Sequence, residues 1–98
     1  MTDLEINKAL ALAIGWPETK IESLPSGLIL IHVMPGYRAL SRFFDYRNWN
    51  VIGPIAEHYC LVVDFGDNSV CDKFCENFYG GDTPQKAIAR AVINGVTL

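Results

Sequence analysis

The run Leu28-Ile29-Leu30-Ile31-His32-Val33-Met34 constrains this chain most. It is short and almost wholly aliphatic, with Gly27 before it and Pro35-Gly36 after it. That length between turn residues reads as a buried strand, because an amphipathic helix needs a longer run with its apolar residues three and four apart. Arg38 to Phe44 is the expected neighbouring strand, with Pro35-Gly36 in the turn that joins them. The polar stretch after Trp16-Pro17, ending in Pro25-Ser26-Gly27, reads as a loop or a short strand and turn.

Three helices punctuate the rest. Thr2-Asp3-Leu4-Glu5 fits a capping box, in which Thr2 and Glu5 satisfy each other's backbone N–H groups. Asp3 sits favourably near the positive end of the helix dipole. Ile6, Leu10, Ala13 and Ile14 follow at helical spacing and should face a core, with Asn7 and Lys8 toward water. Gly15 and Pro17 end that helix near Ile14. Pro54 positions the second helix, because proline is best tolerated in a first turn; this puts the cap at Asn50 or Asn48. Val51, Ile52, Ile55, Ala56 and Tyr59 then share a face, leaving Glu57 and His58 outward. In the third helix Thr83 caps, Pro84 takes the first position, Ala87, Ile88, Ala91 and Val92 form the stripe, and Asn94-Gly95 closes it.

Between the second and third helices, Leu61 to Phe65 reads as a strand and Gly66-Asp67-Asn68 as a hairpin turn. Val70 to Phe78 fits a strand by alternation and a helix by its Val70, Phe74 and Phe78 spacing. The preceding turn and the closing Tyr79-Gly80-Gly81 favour the strand. The expected fold class is therefore α+β: an antiparallel sheet of about four strands with three helices in a layered sandwich, ordered α-β-β-α-β-β-α.

Composition narrows the function. With 98 residues, half of them hydrophobic, the chain should form one globular domain, 1–98. Eight basic against eleven acidic side chains, a net charge of −3, argue against an electrostatically driven nucleic-acid binder. The acidic opening lacks a signal peptide's basic start, and no apolar run is long enough to span a bilayer, so the cytoplasm is the expected location and no membrane partner is foreseen. Three cysteines, an odd number, fit reduced thiols.

Motif chemistry is sparse. His58-x-Cys60 with Cys71-x-x-x-Cys75 has poor zinc spacing, so no metal or cofactor is expected. His32, inside an apolar run, reads as a satisfied structural histidine, and neither histidine is placed beside a helix-start cysteine as a Cys–His nucleophile would require. P-loop, G-x-G-x-x-G, H-E-x-x-H and G-x-S-x-G signatures are lacking. Two contact sets stand out instead. One is aromatic and basic: Phe43, Phe44, Tyr46 and Trp49 interleaved with Arg38, Arg42 and Arg47, the residue types that dominate protein–protein hot spots. The other surrounds the hairpin, where Asp64, Asp67, Asp72, Glu76 and Asp82 gather with Lys73. Arg42, Tyr46, Arg47 and Trp49, or Asp67, Asp72, Lys73 and Glu76, are the expected partner-binding residues.

Three blocks also carry a resemblance: Glu5 to Trp16 (EINKALALAIGW), Phe44 to Glu57 (FDYRNWNVIGPIAE) and Thr83 to Ile93 (TPQKAIARAVI). In that order they resemble small accessory proteins of tailed phages and prophages, the group called the phage ABA sandwich domain. They cover a little over a third of the chain and consist of caps and core stripes. Between Cys60 and Gly81 the sequence departs from the group, with Val70-Cys71-Asp72-Lys73-Phe74-Cys75 where a tryptophan-bearing strand is expected. The resemblance implies a layered α/β fold and a non-enzymatic bacteriophage accessory protein that binds a host or phage protein complex. Inhibition of a bacterial defence complex, anti-CRISPR-like or anti-restriction, is its sharpest version. A small-molecule or nucleotide-binding module, a phage housekeeping factor and a thiol enzyme using Cys60, Cys71 or Cys75 are the alternatives; a homodimer is also open.

Overall fold

A computed structural model describes residues 1–34, 40–72 and 77–95. It is a small α+β structure whose contacts group into two compact units, Met1–Asp45 and Tyr46–Leu98. Six strands form two three-stranded antiparallel sheets, in place of the single sheet of about four strands that the alternation led us to expect.

In the first unit, α1 (Asp3–Ala13) begins at the foreseen capping box. The Glu5 backbone N–H donates to Thr2 Oγ1 at 3.2 Å, and the Thr2 N–H donates to Glu5 Oε1 at 3.1 Å. The second bond, with the Thr2 hydroxyl helping, holds the Glu5 carboxyl below its ordinary pKa. At the other end Gly15 takes φ +109°, with Trp16 N–H bonded to the Ala11 carbonyl and Gly15 N–H to that of Leu12. These are the two bonds of a Schellman motif.

The buried stripe of α1 is rotated from expectation. Ile6, Asn7, Leu10 and Ala11 are buried, whereas Ala13 is exposed. Asn7 faces inward because its side chain is satisfied there. Nδ2 donates to the Gly27 carbonyl at 2.8 Å and to Asp45 Oδ1 at 3.3 Å, which removes the penalty for burying an amide.

Strand β2 (Ile29–Ile31) is the centre of the first sheet, flanked by β1 (Ile21–Ser23) and β3 (Arg42–Phe44). All three β2 residues are buried, as an aliphatic run with neighbours on both edges should be. The register pairs Ile21 with Ile31 and Ile31 with Arg42. Strand β1 falls in the stretch read as a loop or short strand; a three-residue edge strand holding Glu22 and Ser23 leaves too little period-2 signal to recognise. The expected turn at Pro35-Gly36, and Arg38, lie outside the described residues.

In the second unit, α2 (Trp49–His58) is capped by Asn48, whose Oδ1 accepts from the Asn50 N–H at 2.9 Å. Pro54 therefore sits inside the helix, beyond the first turn where we expected it. The missing N–H deprives the Asn50 carbonyl, but both residues are exposed, so water can replace the bond. Gly53 before it has no Cβ to meet the proline ring. Ile52 and Ala56 are buried as foreseen, with Glu57 and His58 outward.

Strands β4 (Val62–Asp64), β5 (Ser69–Cys71) and β6 (Phe78–Gly80) form the second sheet in that order. The expected single strand from Val70 to Phe78 is instead two antiparallel strands, since Cys71 pairs with Phe78. Asp72 and Asn77 close the reversal: Asp72 N–H bonds to the Asn77 carbonyl at 3.3 Å, and Asn77 Nδ2 donates to Asp72 Oδ2 at 3.2 Å. Helix α3 (Pro84–Asn94) packs on this sheet and on α2. Thr83 caps it, and Ala87, Ile88, Ala89, Ala91 and Val92 are buried. Arg90 Nη1 donates to the Gly80 carbonyl at 2.9 Å, joining helix to β6.

Candidate functional site

Asn48, by capping α2, makes Trp49 the first helical residue. A side chain there lies at the helix end, and Trp49 stays 44% exposed. Phe65 comes from a different part of the unit, directly after β4. Its turn is held by Asp64, whose Oδ1 accepts from the backbone of Gly66 at 2.9 Å and Asp67 at 3.3 Å. This is an Asx turn, in which a short carboxylate replaces a backbone acceptor. Asn68, at φ +51°, completes the reversal and donates Nδ2 to the Asp82 carbonyl at 3.0 Å.

The two rings meet. Their centroids are 5.8 Å apart at a 47° tilt, within the range where aromatic pairs gain about 0.5–1.5 kcal/mol beyond area burial. Phe65 nevertheless remains 64% exposed, so the pair is an apolar step open to water. Arg47, exposed, enters α2 two residues before Trp49, and its carbonyl accepts from Gln85 Nε2 at 3.5 Å. Asp67, also exposed, lies two residues beyond Phe65. Trp49 of the aromatic set and the hairpin turn thus meet at Phe65.

Other expected contact residues lie elsewhere. Tyr46 is only 2% exposed, which corrects its assignment to a contact surface: a partner does not reach its ring. Arg42 is exposed on β3 in the first unit, beside Phe43, which is 72% exposed. Asp72 is half-buried and engaged with Asn77. Lys73 and Glu76 lie outside the described residues, as does Cys75. Cys60 is exposed, Cys71 is buried, and neither is in a disulfide among the described residues. Among those residues no group of three or more His, Cys, Asp and Glu is placed to hold a metal ion. No described helix is long and apolar enough to cross a membrane.

Phe65 is the residue that sequence reasoning missed. It closes the run read as a strand, Leu61 to Phe65, yet it falls one position past the last paired residue of β4 and so escapes the sheet's alternation. The Asp64-x-Gly66-Asp67 pattern was the available signal.

No family model matches the chain, and no curated protein or solved structure is significantly similar to it.

Proposed function

We propose that the chain works by binding another protein through the Trp49–Phe65 step, with Arg47 and Asp67 at its edges. The observation that carries this is the exposure of both rings while they hold each other in place. A preformed aromatic pair loses little side-chain freedom on binding, which is why such residues anchor interfaces. The open parts of the two rings amount to roughly 200 Å² of apolar surface, or about 5 kcal/mol of gross driving force at the usual coefficient. Association costs about 4–15 kcal/mol, so the pair serves as the anchor of a larger contact rather than a whole interface. Opposite charges at the rim favour orientation over raw affinity.

The setting we infer for this activity, a phage or prophage accessory protein that occupies a host or phage protein complex, rests on the three sequence blocks described above. Inhibition of a defence complex is the specific form we favour, in the cytoplasm of a host cell. The test is affinity capture from bacterial lysate with wild type, Trp49→Ala and Phe65→Ser. One dominant complex retained by wild type and lost by both variants is expected. Undiminished capture by either folded variant refutes the surface. Capture of nothing, together with a nucleotide-dependent rise in melting temperature, would favour the small-molecule reading.

A further inference from the structure

The first sheet brings together three side chains that lie far apart in chemistry-bearing sequence and outside the surface above. His32 follows β2, Glu22 is on β1 and Ser41 precedes β3. Extending the register that pairs Ile31 with Arg42 sets His32 opposite Ser41, while Glu22 is the diagonal neighbour on the other side. His32 Nε2 lies 2.9 Å from Glu22 Oε1, and His32 Nδ1 lies 3.0 Å from Ser41 Oγ. Ser41 also lines an open depression of about 300 Å³ with Val33, Leu40 and Arg42.

Proton placement follows from what each group can do. An ionised glutamate only accepts, so Nε2 carries the ring proton and donates it to Glu22. In the tautomer with that proton on Nε2, Nδ1 presents a lone pair to the Ser41 hydroxyl 3.0 Å away. Either ring nitrogen can act as the base, and the partner of the other nitrogen decides which. A hydroxyl on a base, and the base on a carboxylate, is the arrangement that activates a serine, whatever the order along the chain.

We propose that Ser41 is a nucleophile toward acyl esters, with His32 as its base and Glu22 as the residue that positions His32. Ser41 Oγ bonds to the ester carbonyl carbon as its proton passes to His32 Nδ1. The bond from that carbon to the leaving oxygen breaks, and the leaving oxygen takes the proton from Nδ1. Water then loses a proton to Nδ1 as its oxygen bonds to the acyl carbon; the bond from that carbon to Ser41 Oγ breaks, Oγ takes the proton from Nδ1, and the free acid leaves. The depression that Ser41 lines with Val33, Leu40 and Arg42 leaves room for a small acyl group beside Oγ.

The test is labelling with diisopropyl fluorophosphate, read by intact mass and peptide mapping. The expected result on the wild-type chain is one diisopropylphosphoryl group on Ser41 and none on Ser23, Ser26 or Ser69. Base assistance contributes about 10²–10⁴-fold, so His32→Gln should slow labelling by at least ~100-fold. Glu22→Leu should slow it too, with Glu22→Gln restoring part of the rate because its amide oxygen still accepts from Nε2–H; a purely structural Glu22 would not separate the two variants at equal folded fraction. Unlabelled or unselectively labelled wild type overturns the proposal without any variant having to fold, and so does equal labelling of folded His32→Gln.

Discussion

Asn7 offers the sharpest test of how the first unit is held together. It is fully buried, and its amide donates both to the Gly27 carbonyl and to the Asp45 carboxylate. Asn7→Ala removes both donors and leaves the half-buried Gly27 carbonyl and Asp45 carboxylate each one hydrogen bond short. A neutral hydrogen bond contributes about 1 kcal/mol and one to a charged group about 1.5–3 kcal/mol, so the loss should be about 3 kcal/mol. A chain of this length has a total stability of about 5–15 kcal/mol, so the variant stays folded but with a visibly smaller margin. In urea, at about 2 kcal/mol per molar, the midpoint should fall by about 1.5 M with an unchanged slope. Asn7→Leu should lose as much, because filling the space does not feed the acceptors. Asn7→Asp sets a second carboxylate against Asp45, which raises its folded-state pKa above the unfolded value. Its extra destabilisation is therefore present at neutral pH and relieved as the pH falls through that raised pKa. A midpoint shift below about 0.3 M for Asn7→Ala, on the same urea scale, would refute the claim that this amide holds α1 to the turn and to Asp45.

Three further outcomes are expected. Cys60 sits at φ +54° just past α2, with its N–H on the Glu57 carbonyl and the Leu61 N–H on that of Ala56, so it occupies the left-handed position of a Schellman motif. Cys60→Gly should gain about 0.5–1 kcal/mol in urea unfolding while Cys60→Ala gains nothing, since relief of the backbone and not loss of the thiol is the cause. Gly81→Ala should cost about 1–3 kcal/mol and lower the melting temperature, because its Cβ would stand 3.0 Å from the Ala87 nitrogen and 3.1 Å from Lys86 Cβ at the start of α3. The Glu5 carboxyl, held low by the Thr2 N–H, should titrate in carbon-detected NMR below its own value in urea-unfolded chain. Its contribution is present above the unfolded pKa and lost as the pH falls through the folded one; coincident folded and unfolded midpoints would contradict the capping box.

Where local chemistry decides, the sequence was readable. The capping box at Thr2 and Glu5, the glycine stop at Gly15 and the Thr83-Pro84 start of α3 each require particular side chains at fixed offsets, and each is found. The aliphatic run from Leu28 to Met34 reads as a buried strand, and Ile29–Ile31 form one with all three residues buried. Errors came where a non-local bond outweighs local preference. Asn7 looks solvent-facing until Gly27 and Asp45, distant in sequence, supply its acceptors. Tyr46 looks like part of an exposed aromatic cluster because sequence cannot separate a buried ring from an open one two or three residues away. Strands without an aliphatic run were the other blind spot: β1 carries Glu22 and Ser23 and β6 ends in Gly80, so neither shows the apolar run that marks β2.

The same distinction explains why the candidate sites were only half legible. Trp49 could be picked out by residue type, but the surface it belongs to depends on Phe65, and Phe65 is placed by a backbone device, the Asp64 carboxylate capping two N–H groups. The Glu22–His32–Ser41 relay was less visible still. His32 was legible as a histidine needing partners inside an apolar run, yet its partners come from two other strands whose register no local pattern reports. Register is set by which apolar face must be buried, and a one-residue slip of β3 would send Ser41 to the opposite face. The relay therefore depends on Ile29, Ile31 and Phe44 being buried together, with Ile29 paired to Phe44. Core packing on one face of the first sheet thereby dictates the chemistry available on the other.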